Sequence, residues 1–226
     1  MEMNLNVTEH GTNPFDYWVV DNFLDYSVAK DLSAEFPDYE KEDWFAYDGW
    51  IAQKKICNKW DKFPPLTYKT FFNLLSTDFT QRLSDLTNKK PLYPDIGLHG
   101  GGWHMHVKGG NLAVHLDYSK HPKIPLQRKL NLILYLEDGY ESSWGGDLQL
   151  WSHDEENKKP GEMVKTIEAK FNRAVIFDTT QNSWHGIPTK LECPKGKARK
   201  SFAVYYMTDL SETAVDRFRA HYVNVE

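Results

Sequence analysis

From about residue 96 onward, apolar and polar positions alternate in short runs: NLAVHLDY, RKLNLILYLE, WGGDLQLWS, MVKTIEA, RAVIFDT, SWHGIPT and RKSFAVYYMT. Gly, Pro and Asn punctuate them. Alternation with period two marks strands, and short strands at regular spacing predict a sandwich or barrel. Upstream the pattern differs. PFDYWVVDNFL (14–24) predicts a short strand ending in a turn. In SVAKDLSAEF, Val28, Leu32 and Phe36 recur every four residues, one face of a helix that Asp25 or Ser27 could cap. Pro64-Pro65 opens what reads as one long amphipathic helix, with Tyr68, Phe72, Leu75, Phe79, Leu83 and Leu86 as its apolar stripe. KKPLYPD (89–95) ends it. Residues 37–63 show no period and read as irregular and aromatic-rich, and SETAVDRFRAHY reads as a closing helix. The expectation is one domain over 1–226: an N-terminal strand and helical support at 1–95, a β core at 96–208 and a C-terminal helix at 209–226, a mainly β (α+β) chain.

Within RKLNLILYLE the alternation also assigns faces. Leu130, Leu132, Leu134 and Leu136 point one way, onto the long helix; Asn131, Ile133 and Tyr135 point the other. An inner face carrying Asn and Tyr predicts a polar cavity. Composition agrees with an ordinary globular domain: 226 residues, 40% hydrophobic and 26% charged, which excludes disorder as the main state. A net charge of −5 gives no global support for generic binding to nucleic acid or an anionic membrane. Aromatics reach 14%, with eight Trp, enough for a thick core or a stacking surface. Cys57 and Cys193 stand far apart in no CxxC pattern, which excludes a disulfide framework or a cysteine-rich zinc site and fits a reducing compartment. No apolar run approaches the roughly 18 residues of a membrane span, and MEMNLNVTEHGTNPF carries no apolar signal core. The expectation is a soluble, cytoplasmic protein.

Candidate chemistry starts at His115-Leu116-Asp117. In a strand, residues i and i+2 share a face, so both side chains can reach one ion. His185 in NSWHGIPT follows the apolar strand RAVIFDT and could lie across the barrel from them. Two imidazoles and one carboxylate leave three coordination positions open, the facial triad of non-haem Fe(II) oxygenases. Asp117 reads here as an accessible ligand whose removal should spare the fold. His104 and His106 share a strand face and suit a role beside the ligands or the substrate. HDEENKK (153–159) reads as a solvated loop, and His10, His99, His121 and His221 show no partner in sequence. In CPKGKARKSFAVYYMT, Arg199 and Lys200 face opposite ways. Arg199 shares its face with the small Ser201 and Ala203, and its planar fork suits a carboxylate, with Tyr135 and Asn131 as further candidate cofactor contacts. The bland alternative is a solvated cluster of Lys195, Lys197, Arg199 and Lys200. The glycines of HGGGWHMHVKGG precede no GK[ST] and read as a turn or bulge between strands.

PFDYWVVDNFL with its following helix, then HLD, WGGDLQLW, RAVIFD, WHGI and RKSFAVYY in that order, resemble the Fe(II)/2-oxoglutarate-dependent dioxygenases of the prolyl 4-hydroxylase-like group over nearly the whole chain. WGGDLQLW resembles the group's GGxL strand. His115, Asp117 and His185 match its iron ligands, Arg199 the basic residue for the distal carboxylate of 2-oxoglutarate, and Tyr135 a tyrosine that helps it. Two departures stand out: His106 occupies a position where many relatives have Tyr, and PTKLECPKGKA lengthens the step from His185 to Arg199. The resemblance implies a double-stranded β-helix (jelly roll) with helices buttressing one sheet. It implies Fe(II), 2-oxoglutarate as co-substrate and O2, with ascorbate as an optional reductant, and hydroxylation of an unactivated C–H coupled to formation of succinate and CO2. The best substrate reading is a prolyl residue in a peptide. A polyproline segment docks on aromatic-lined grooves, so Trp103, Trp184 and His106 are candidate substrate contacts, with Trp144 and Trp151 nearby in sequence. A second reading is a nucleobase, sugar or free small molecule, for which Lys120, Lys123, Arg128 and Lys129 offer anion contacts unless they form a solvated loop. A third is a non-catalytic jelly-roll binding module.

Overall fold

The computed structural model describes residues 1–41, 44–46, 51–179, 181–212 and 214–225. The chain begins with β1 (Glu9–Gly11), β2 (Tyr17–Val20), α1 (Tyr26–Ala34), β3 (Phe45–Ala46) and β4 (Ile51–Cys57). Next come α2 (Pro65–Leu74), α3 (Thr77–Thr87), β5 (Tyr93–Pro94) and the 15-residue β6 (Gly102–Leu116). Seven further strands follow, with a 3-10 turn at Ser142–Trp144 between the first two: β7 (Leu126–Tyr135), β8 (Leu148–Asp154), β9 (Lys159–Ile167), β10 (Ala174–Asp178), β11 (Trp184–Ile187), β12 (Arg199–Asp209) and β13 (His221–Val223).

Pairing is antiparallel and runs β1-β2-β10-β7-β12-β6-β11-β8-β9, with β4 and β13 also on β6 and β5 on β12. The order curls the sheet into the expected double-stranded β-helix. β6 is the strand that turns the corner. Its first half pairs with β12 and its second half with β11 and β13, while β4 pairs with residues of both halves. Between the halves, residues 107–110 of β6 stand opposite the single residue Gln53 of β4. Such an irregularity bends a strand and changes its twist. HGGGWHMHVKGG and NLAVHLDY, expected as separate strands, are therefore one strand with a bulge.

The helices lie on one outer face. Leu32 of α1, Phe71 and Leu74 of α2, and Phe79 and Leu83 of α3 pack with Leu130, Leu132 and Leu134 of β7 and with Phe202, Val204 and Tyr206 of β12. The leucine face therefore points as the alternation predicts. Asp25 caps α1, its side chain accepting from Ser27 N. The inner face of the same sheet meets β8 and β9 through Val175, Phe177, Leu148, Leu150 and Ile167.

Three expectations are corrected. The single long helix is two: Ser76 accepts from Phe79 N at 3.2 Å and caps α3, breaking the chain direction. The stripe read straight through that break is wrong for α2, where Thr67, Thr70, Phe71 and Leu74 are buried while Tyr68 and Phe72 are exposed. Residues 37–63 are not wholly irregular, because β4 adds seven residues to the sheet. The closing helix does not form among the described residues. Instead 214–225 runs as a strap that carries β13 on β6, with Ser119 N and Lys120 N both donating to Arg217 O. A ready backbone partner overrides helix propensity.

Candidate active site

His115 and His185 are direct cross-strand partners on β6 and β11, and Asp117 follows two residues on. Gly186 makes that pairing close, since a Cβ there would meet Val114 Cα at 2.8 Å. The two imidazoles carry the same support. His115 Nδ1 donates to Ala113 O at 2.9 Å and His185 Nδ1 to Ser183 O at 2.8 Å. A carbonyl can only accept, so each Nδ1 holds the proton and each Nε2 presents a lone pair. Asp117 faces both, with Oδ1 3.7 Å from His115 Nε2 and Oδ2 3.8 Å from His185 Nε2. One donor atom from each residue lies within 4.8 Å of the others. All three are buried. Burial first, then the neighbouring His115, lowers the His185 pKa to about 4, so it is neutral at pH 7. Burial alone would raise Asp117, but Arg128 and the two histidines hold it well below the usual carboxylate range. Two imidazoles and one carboxylate converging on one point suit a divalent transition metal with open positions.

The triad lines a cavity of about 890 Å³. Arg199 lies in its wall, 3% exposed, on β12. Its Nε donates to Gly146 O at 2.7 Å and its Nη2 to Tyr135 Oη at 3.2 Å. Gly146, from the WGGD run, is required there: its φ is +80°, and a Cβ would lie 3.1 Å from Arg199 Cδ. Among the described residues no carboxylate stands within 4 Å of Arg199. Lys200 points outward as expected, to Glu137 at 3.1 Å and Ser33 O at 3.2 Å. Asn131 reaches the other way, its Nδ2 3.5 Å from Asp117 Oδ2. His104 and His106 both line the cavity. His104 contacts Gly100 O at 3.0 Å, whereas among the described residues neither ring nitrogen of His106 has a hydrogen-bond partner. Burial, then the charge of Lys54, pushes both far below the ordinary histidine value.

The four candidate tryptophans do not line the cavity. His104 and His106 face inward, so Trp103 between them and the preceding turn faces outward, into the helical core against Phe63 at 5.0 Å and Phe36 at 5.6 Å. Trp184, next to His185, likewise turns away and donates to His153 Nδ1 at 2.8 Å. Trp144 and Trp151 do not line the cavity either. The other histidines do have partners: His10 stacks on Trp18, His99 packs on His121, which stands 3.7 Å from Asp95, and His221 packs on Trp184.

Two site residues escape sequence reading. Arg128 is buried between the rings of Tyr118 and Tyr205, 3.5 and 3.4 Å from their centroids, and its Nη1 is 2.9 Å from Asp117 Oδ1. It is no part of a solvated basic loop, and two of its three companions are occupied: Lys129 pairs with Asp178 and Lys120 with Asp216. Simple alternation places Arg128 on the leucine face. The register shifts between Tyr206 and Met207, which leaves Lys129 as an extra residue in β7, and this bulge turns Arg128 inward. Asp117 is consequently half of a buried ion pair, not an accessible carboxylate. Lys54 is the other missed residue. It is 8% exposed on β4, in the segment read as irregular, and lines the cavity. Burial, then the charge of Arg199, lowers its pKa to about 7, against the opposing pull of Asp117.

Residues 101–207 match the family model of the 2OG-Fe(II) oxygenase superfamily. Prolyl 3-hydroxylase OGFOD1 of Xenopus laevis is 30% identical over 139 residues, covering 61% of this chain and 24% of that protein, so the chain spans about a quarter of the relative's length. A prolyl hydroxylase from Trichoplax adhaerens, solved in complex with a hypoxia inducible factor oxygen degradation domain peptide fragment, superposes with a TM-score of 0.57 at 15% identity, covering 84% of this chain and 82% of that one. HygX from Streptomyces hygroscopicus, solved with nickel, 2-oxoglutarate and hygromycin B, gives 0.56 at 13% identity, with the same two coverages of 84% and 82%. At these identities the two structures share a fold with this chain. Among the described residues, no helix is long and apolar enough to cross a membrane.

Proposed function

We propose that this chain, a member of the 2OG-Fe(II) oxygenase superfamily, hydroxylates a prolyl residue in a peptide or protein. The observation that carries the reading is one cavity holding both a His-Asp-His set with lone pairs aimed inward and a buried Arg199 that meets no carboxylate among the described residues. The chain is an Fe(II)- and 2-oxoglutarate-dependent oxygenase. Fe(II) bound with 2-oxoglutarate and O2 supplies C–H hydroxylation, coupled to formation of succinate and CO2. In our reading His115, Asp117 and His185 hold the metal. Their Nδ1–carbonyl bonds fix tautomer and ring orientation before it arrives. Arg199 and the Tyr135 hydroxyl clasp the distal carboxylate of the co-substrate by charge-assisted hydrogen bonds. Burial of both donors keeps that clasp dry.

A peptide substrate is favoured over a free small molecule by the cavity mouth, where Phe45 and Phe218 are 62% and 51% exposed and line the opening. These two rings replace the tryptophans as the aromatic contacts of an incoming chain. The prolyl hydroxylases among the similar proteins point the same way. We place the protein in a reducing compartment, because Cys57 lies in the helical core and Cys193 in a separate cluster with Ile187 and Leu191.

The test is an anaerobic titration of the purified chain with Fe(II) and then 2-oxoglutarate, read as a visible charge-transfer band. The wild type should show the band, and Asp117→Asn should not. Arg199→Ala should raise the 2-oxoglutarate midpoint about 30-fold or more, as loss of a buried charge-assisted contact of about 2–3 kcal/mol requires. Lys200→Ala should leave it near the wild-type value. An unchanged midpoint in Arg199→Ala would remove Arg199 from the co-substrate.

A further inference from the structure

Lys54, His106 and Arg199 form a row. Lys54 is the cross-strand partner of His106, and His106 is the cross-strand partner of Arg199, so the three stand on neighbouring strands β4, β6 and β12. All three line the cavity, at 8%, 1% and 3% exposure. Cross-strand spacing is about 4.8 Å, so the backbones of Lys54 and Arg199 stand roughly 10 Å apart. The bulge of residues 107–110 against Gln53 sets this register and turns Lys54 inward.

His106 supplies the second observation. Both of its ring nitrogens are buried with no hydrogen-bond partner among the described residues, although a buried polar group left unmet is destabilising by about 1–3 kcal/mol. Something that binds in the cavity completes it. Charge says what. Among the described residues, the lining holds Lys54, Lys59, Arg128, Arg199 and Arg219 against one acid, Asp117, which Arg128 already neutralises. A cleft lined by one sign of charge concentrates ligands of the other sign.

We propose that Lys54 and His106 form a second anion-binding corner, which takes a carboxylate of the peptide substrate next to the residue that is hydroxylated. This rests on the function proposed above, in which Arg199 and Tyr135 take the co-substrate's distal carboxylate. His106, neutral, donates one N–H; Lys54 donates from its ammonium. The bound carboxylate restores the charge that burial and Arg199 withdraw from Lys54. Lys59 and Arg219 at the mouth draw the acidic segment in. The carboxylate comes from a Glu or Asp side chain or from a chain terminus; the chemistry is shared and the test separates them.

Four synthetic peptides serve as probes. Three are blocked hexapeptides with Glu, Gln or Lys beside a single proline; the fourth is the Gln peptide ending in a free carboxylate directly after the proline. Turnover is measured with Fe(II) and 2-oxoglutarate, and binding by calorimetry on protein loaded with Mn(II) and 2-oxoglutarate. The wild type should prefer the Glu or the free-carboxylate peptide over the blocked Gln peptide by about ten-fold, with the Lys peptide weakest. Whichever carboxylate peptide leads identifies the source. Lys54→Met should erase the preference while the Gln peptide and the 2-oxoglutarate midpoint stay within about two-fold of wild type, and Lys54→Arg should keep it. Equal binding of all four peptides by the wild type, or a preference that survives in Lys54→Met, overturns the proposal. So does a 2-oxoglutarate midpoint that moves in Lys54→Met while peptide binding does not, which would give Lys54 to the co-substrate. Charge-selective binding that needs Lys54, without hydroxylation of any peptide, supports the corner and sinks the prolyl hydroxylase reading instead. Hydroxylation of all peptides alike does the reverse.

Discussion

Each oxygen of Asp117 meets its own neighbours: Oδ1 lies 2.9 Å from Arg128 and 3.7 Å from His115, Oδ2 3.8 Å from His185. A carboxylate shared in this way serves the fold as well as the site. Removing one partner of a buried ion pair strands the other charge and destabilises by about 3–5 kcal/mol. Asp117→Ala should therefore lower the urea midpoint of the metal-free protein strongly, against the sequence expectation of an intact fold. Adding Arg128→Leu to that variant should recover much of the loss, because no charge is then left uncompensated; failure to recover would show that Arg128 is not the stranded group. Lys54 gives a signed pH prediction. Its folded pKa of about 7 lies below the ordinary 10.5, and among the described residues His104, His106, Arg199 and Asp117 are charged or titratable groups that act on it or feel its charge. Between those values the unfolded chain binds the extra proton, so stability rises with pH from about 7 towards 10.5. Below 7 the burial penalty is fully present, on the order of a few kcal/mol. Subtracting metal-free Lys54→Met denaturation curves from wild-type curves at pH 7 and pH 9.5 should isolate this slope.

At the scale of elements, the site depends on where two strands depart from regularity. The bulge in β7 turns Arg128 in, and residues 107–110 of β6 let one strand serve both sheets while setting Lys54 beside His106. The close approach of β11 to β6 is equally local. Gly186→Ala would force a Cβ against Val114 Cα and Ala113 O, at 2.8 and 3.0 Å, and displace β11 with His185. We expect the affinity for Mn(II) to fall by about ten-fold or more, as a shift in one of three ligands implies, with the overall fold retained by circular dichroism. Wild-type metal affinity in Gly186→Ala would mean that β11 tolerates the displacement. The helices matter in a different way. α1, α2 and α3 cover the outer leucine face and leave the inner face free to be polar, which is why Asn131, His104 and His106 can line a cavity without weakening the principal core.

Across the whole molecule, the strap closes the site from the far end of the chain. Arg217 Nε donates to Asp117 O at 2.7 Å, Tyr222 packs on His115 at 4.8 Å, and Phe218 and Arg219 reach the cavity mouth. A segment with a helical pattern in sequence becomes a lid in structure because unpaired backbone on β6 offers it hydrogen bonds that an isolated helix of that length would not outweigh. Much of this protein was legible in its residues. Period-two alternation from Leu130 to Leu136 fixes which face meets the helices, since a strand's side chains can only alternate. His115-x-Asp117 and His185 announce their chemistry by residue type and order, and the opposed faces of Arg199 and Lys200 follow from adjacency alone. The same rule, applied to His104 and His106, already turns Trp103 away from the site. What alternation could not give is anything that lies beyond a break in regularity. Arg128 and Lys54 sit next to bulges, where an odd number of extra residues reverses every later face, and a bulge is set by which strands pair, not by the strand's own sequence. The strap and the two-helix break share that cause. Local pattern determined the strands, their faces and the candidate metal-binding set; the pairing of distant segments decided which charges are buried together, and so the ion pair beneath Asp117 and the cationic wall beyond it.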